Sequence, residues 1–121
     1  MIKYSWLENY CLAKIGAEKD YKAEWDAIRY MVRGKMFAFI CNDSKGKAIV
    51  NVKLEPEYGI ELREQYDDII AGYHMNKTHW NSLYLDGNVP DEIVKKMLDQ
   101  SHQLIIAGLS KKIQEELKLL K

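Results

Sequence analysis

The chain is poor in the features that most readily betray a function. Its 121 residues contain only two cysteines, Cys11 and Cys41, no C-x-x-C pair, and equal numbers of basic and acidic side chains, eighteen of each. So little cysteine, so widely spaced, excludes a disulfide scaffold and a thiolate metal centre, and each cysteine sits in an apolar pattern where a buried free thiol is the ordinary state. The absence of net charge excludes a global field that would draw the protein to nucleic acid or an anionic membrane, so any such binding must come from a local patch. No stretch approaches the ~20 apolar residues of a membrane span, and Met1 to Trp6 has no basic segment followed by an apolar run. A soluble, cytoplasmic protein is expected. The seven glycines are scattered, and none belongs to a glycine-rich loop that opens a helix and cradles phosphate.

What is present reads as one domain over 1–121. Hydrophobic residues at 47% and charged residues at 30% suit a globular fold with a single core. Ile2, Trp6 and Tyr10, with Leu7 and Cys11, recur at helical spacing, and Gly16 is placed to end that helix. Tyr21 to Trp25 and Ile28 to Val32 alternate with a period of two and read as tightly joined strands. Lys35 to Cys41 and Lys47 to Leu54 are further strands about the turn-rich tract 42–46. In the last of these, Ala48, Val50, Val52 and Leu54 share a face expected to be buried, while Lys47, Ile49, Asn51 and Lys53 share one expected to be partly wet. Pro56 opens a short helix to Gln65, His79 to Asp86 alternates again, and the chain after Pro90 is helical with a break or kink near Gly108 and Ser110. The pattern predicts an α+β two-layer sandwich, with helices on one face of an antiparallel sheet.

The densest chemistry lies in Gly72 to Asn81, where Tyr73, His74, Asn76, Lys77, His79 and Trp80 fall together. His74 and His79 are five apart, which fits neither a helix face nor a strand face, and no cysteine or carboxylate cluster completes a shell, so no metal is expected. Cys11, Cys41, Ser82 and Ser101 lack the local signatures of covalent catalysis, and no catalytic residue is assigned. Asp67 and Asp68 read as a solvated loop. His102 reads as a helix-surface or inter-element hydrogen bonder. Arg33 and Lys35 flank the Gly34 turn and Lys45, Lys47 and Lys53 lie on or beside the next hairpin. If the two hairpins project side by side they form basic wings for phosphate contact, with Lys77 nearby.

The run from Tyr73 to Asn81, followed by Leu85 to Glu92, resembles the signature region of the MmcQ/YjbR family. Gly34-Lys35-Met36-Phe37-Ala38, Val52-Lys53-Leu54 before a proline-led helix, and Ser101 with Leu109 to Lys112 agree with it, although Ser110 stands where a proline often precedes the two lysines. The resemblance implies an α-β(3)-α-β(2)-α outline, sometimes described as a double-wing DNA-binding fold, and carries no catalytic residues and no cofactor. On it rests the expectation of a non-enzymatic DNA-binding protein, a monomer or weak dimer. Arg33, Lys35, Lys45, Lys47, Lys53 and Lys77 would contact phosphates, and Tyr73, His74, Asn76, His79 and Trp80 would form the recognition surface. The alternative is a small-molecule or protein-binding module whose pocket is lined by Tyr73 to Trp80. The Ser110 departure predicts a C-terminal helix that continues with less of a kink.

Overall fold

The computed structural model describes residues 4–72 and 75–120. Its elements run α1 (Leu7–Leu12), β1 (Ala17–Lys22), a 3-10 turn (Ala23–Trp25), β2 (Ala27–Val32), β3 (Lys35–Asn42), β4 (Ala48–Lys53), α2 (Pro56–Gln65), β5 (Ile69–Ala71), β6 (Trp80–Tyr84), α3 (Asp91–Ala107) and α4 (Lys111–Lys118). The strands form one six-stranded antiparallel sheet in the order β1-β2-β3-β4-β6-β5, a meander of four followed by a hairpin that adds β6 beside β4. The α+β layer fold holds, with four strands ahead of α2 where the family outline has three.

The local chemistry explains most boundaries. Arg33 and Gly34 both take positive φ, 50° and 80°, which is the geometry of a two-residue hairpin turn between strands of right-handed twist. Pro56 opens α2 and Tyr66 leaves it in extended conformation. Asp91 and Glu92 place negative charge at the first turn of α3, where the helix dipole favours it.

Three expectations need correction, and one strand goes unassigned from the residues. The first strand does not reach Trp25: β1 ends at Lys22, and the alternation of 23–25 belongs to a turn that closes at Asp26 with φ 48°. The C-terminal helix does not run on through Ser110, because the Ser110 hydroxyl accepts from the Ile113 amide and starts a separate helix. The strand β5, three residues long, carries too little pattern to be read from the residues. Finally, the face of β4 expected to be wet is covered, since Ile49 and Asn51 are as buried as Val50 and Val52.

The core therefore lies on both sides of the sheet. On the helix side Tyr30, Val32, Phe37, Val50, Val52, Leu54, Leu83 and Leu85 meet Leu7, Cys11, Leu62, Val94, Met97, Leu98 and Leu117. On the other side Ala27, Phe39, Cys41, Ile49 and Trp80 form a smaller cluster, with Met36, Met75 and Tyr84 against it. Ser101 ties the layers together: its hydroxyl donates to the Phe37 carbonyl at 2.5 Å and accepts from the Lys53 amide at 2.8 Å.

Candidate ligand-binding face

The register places Asp20, Arg29, Phe39, Asn51, Ser82 and Ile70 in one row across all six strands, on the face away from the helices. At the outer end of the row Arg29 donates through Nε and Nη2 to the two Asp20 carboxylate oxygens, at 2.7 and 2.5 Å, a bidentate pair. At its centre the Ser82 hydroxyl donates to Asn51 Oδ1 at 2.6 Å, and Asn51 Nδ2 donates to the Phe39 carbonyl and towards Cys41 Sγ.

Above this floor lies a cavity of about 300 Å³ lined by Trp25, Ala27, Phe39, Cys41 and Met75. Trp25 reaches over it from the turn between β1 and β2, its ring 6.0 Å from that of Phe39, which in turn lies 5.8 Å from Trp80. Trp25 is 46% exposed, an unusual position for a large apolar ring, so one side of it faces the cavity mouth. Lys22 Nζ stands 5.0 Å over the Trp25 ring and the Arg29 guanidinium 5.9 Å. Cys41 is 7% exposed, with burial pushing its thiol up and the Asn51 bond pulling it back in part. Cys11, under the helices, is fully buried, its thiol pushed up to about 12.

The segment before β6 forms the opposite wall and is braced by its own polar groups. Asn76 Oδ1 accepts from the amides of Thr78 and His79, Lys77 Nζ donates to the Gly72 carbonyl at 2.9 Å, and the Trp80 amide donates to the Asn76 carbonyl. The His79 carbonyl accepts from the Leu54 amide and from Asn81 Nδ2. Gly72 approaches so closely that a Cβ there would lie 2.8 Å from the Trp80 carbonyl oxygen. Asn76 and Lys77 thus hold the segment in place, Trp80 is buried beneath it, and Met75 is its contribution to the cavity. Tyr73 and His74 lie outside the described residues.

The basic residues do not form two neighbouring wings. The turns at 33–34 and 43–47 close opposite ends of β3, whose eight residues span roughly 25 Å. Arg33, Lys35 and Lys53 lie at one end, with Arg33 paired to Glu116 of α4 at 3.0 Å. Lys45 and Lys47 lie at the other, where their amides donate to the Asp43 carboxylate and Lys47 Nζ stands 5.6 Å over Tyr84. Those backbone bonds hold the Asp43 carboxyl below the usual range.

The remaining sequence candidates are absorbed into packing. Asp68 accepts from the Asn88 amide, fixing the turn before α3. His102 is buried, 2.9 Å from the Ile15 carbonyl, and links α3 to the segment after α1. Beside it Asp99 accepts from Tyr10 at 2.7 Å and Lys14 at 2.5 Å. Among the described residues no three His, Cys, Asp or Glu side chains converge as a metal-holding group, and no helix is long and apolar enough to cross a membrane. The cavity residues Trp25, Ala27, Phe39 and Cys41 escaped the sequence reading. For Phe39 and Cys41 the signal was the unbroken apolar run Met36 to Cys41, a mark of a strand buried on both faces, while Trp25 and Ala27 carried none.

The comparisons with known proteins agree with this architecture. A family model, YjbR, matches residues 12–104. The "Uncharacterized protein YjbR" of Escherichia coli K12 is 36% identical over 97 residues, covering 80% of this chain and 81% of that protein. The "Uncharacterized protein YyaQ" of Bacillus subtilis is 31% identical, covering 75% of this chain and 87% of that one. A crystal structure of Deinococcus radiodurans protein DR2400, with a DUF419 domain, superposes with a TM-score of 0.84 at 27% identity over 98% of this chain and 89% of that one.

Proposed function

The chain belongs to the YjbR family, and from that premise we propose a non-catalytic binding module that takes a small molecule on the open face of its sheet. The observation that carries this reading is the cavity of about 300 Å³ under Trp25 and Met75, at the lower end of the size range of small-molecule sites. It is apolar, walled by two aromatic rings and a pliable thioether, and backed by a rigid sheet. Three of the four candidate nucleophiles are taken up by structure: Cys11 is sealed under the helices, Ser101 bridges β3 and β4, and Ser82 serves Asn51. The fourth, Cys41, faces the cavity with its thiol pushed up by burial, which disfavours the reactive thiolate.

A thermal-shift screen against wild-type protein and Trp25→Ala tests the reading. A ligand of this face raises the wild-type melting temperature, since binding at 100 times Kd adds about 2.7 kcal/mol to stability. The shift should vanish in Trp25→Ala, whose folding is checked by circular dichroism. A ligand that shifts both proteins equally binds elsewhere and sinks the assignment.

DNA binding is the second reading, and it is favoured by Arg33, Lys35 and Lys53 gathering at one end of the sheet. It reduces the expected double wing to a single basic edge. Titration with duplex DNA at rising salt decides it: binding by this edge weakens steeply with salt and drops in Lys35→Gln/Lys53→Gln, whereas affinity absent at about 50 mM salt removes it.

A further inference from the structure

Resting on the small-molecule reading, we infer that the open-face cavity takes an uncharged, planar aromatic group of one to two fused rings, inserted between Trp25 and Met75 above Phe39. Size sets the first limit. The volume of about 300 Å³ is roughly twice the ~150 Å³ known to hold one benzene ring.

Polar saturation of the floor sets the second. Asn51 spends both Nδ2 hydrogens, on the Phe39 carbonyl and Cys41 Sγ, and its oxygen accepts from Ser82. Among the described lining residues, side-chain hydrogen bonding is left to the Cys41 thiol, a weak donor, and the single N–H at the edge of the Trp25 indole, so shape and ring contact do most to select the ligand.

Charge around the mouth sets the third. Lys22 and Arg29 lie over the outer ring of Trp25, but Arg29 is already bidentate to Asp20, Lys22 also faces Asp20, and Glu24 and Asp26 share the same turn. Two cations stand against three carboxylates, so among the described residues no strong field of either sign gathers at the mouth to replace the hydration of an entering ion.

Four matched probes separate the parts of this inference: 2-naphthalenemethanol, 2-naphthoate, N-methylquinolinium and cyclohexylmethanol. Binding is read as slower alkylation of Cys41 by iodoacetamide in the native protein at mildly alkaline pH, with the sealed Cys11 as internal reference. The neutral naphthalene should protect Cys41 with an affinity at least about tenfold above either ion and above the saturated alcohol. Protection should fall in Trp25→Ala and return in Trp25→Phe. Equal protection by either ion overturns the uncharged assignment and leaves the pocket standing, and equal protection by cyclohexylmethanol does the same for the aromatic one. If no probe slows Cys41 the inference falls, and the reading beneath it falls with it only if the thermal-shift screen also finds no ligand whose effect is lost in Trp25→Ala.

Discussion

Ser82 donates its hydroxyl to Asn51 Oδ1 across 2.6 Å, in the middle of the sheet, and neither residue has any exposure. The pair sits directly opposite in the β4–β6 register, so it joins the two strands on the face where the cavity opens.

Ser82→Ala should destabilise the fold by about 1–3 kcal/mol, because it leaves the buried Asn51 oxygen without its donor. Urea denaturation measures this. Adding Asn51→Val to Ser82→Ala should recover part of the loss, since an apolar residue of similar width removes the orphaned oxygen, although the Phe39 carbonyl gives up the Asn51 donor. A double mutant no more stable than Ser82→Ala contradicts that account.

Gly72→Ala should cost about 1–3 kcal/mol by overpacking, as the new methyl meets the Trp80 carbonyl at 2.8 Å and the Trp80 Cβ at 2.9 Å. The same change displaces the segment that carries Met75, so ligand-induced stabilisation should fall with it. The melting temperature with and without ligand reports both effects.

Ser110→Ala should lower stability by about 1 kcal/mol through loss of the helix cap on Ile113, and Ser110→Asp should retain most of it. Helical signal in the far-ultraviolet and the urea midpoint together show whether α4 frays, with its buried Leu117 released from the core.

His102 titrates below its ordinary value, first because burial disfavours the cation and then because Lys14 repels it, against the opposing pull of the Ile15 carbonyl and Asp99. The unfolded chain therefore takes up this proton near 6.5 while the folded chain still refuses it. Across that window the unfolded state binds more protons, so stability is complete above it and declines as pH falls through it. His102→Gln, which keeps a donor for the Ile15 carbonyl, should flatten the stability profile between about pH 5 and 6.5. Glu8, Asp20 and Asp43 are held low by partners other than His102, so their losses come at more acid pH and should be unchanged in the variant.

Local signals account for what was legible in the sequence. The helix from Pro56 to Gln65 stands where its proline start predicts, both cysteines are buried and free, and the strands of the β2–β4 meander follow their alternation and turns. The misread elements are those where local pattern and tertiary use diverge. Ala23-Glu24-Trp25 alternates like a strand yet forms a turn, because Asp26 takes a left-handed conformation that ends the pairing. Asn51 looks like a wet residue, yet Ser82 and the Phe39 carbonyl satisfy it internally.

The sequence by itself determined the family, the α+β class, the meander and the segment that carries the chain's most distinctive chemistry, since each is written in contiguous residues. Tertiary structure alone decided what lies on the open face. Trp25, Phe39, Cys41 and Met75 are dispersed over fifty residues and meet only because antiparallel register brings distant positions onto one surface. It also decided that the 33–34 and 43–47 turns lie apart, since successive turns of a meander must close opposite ends of the strand they share.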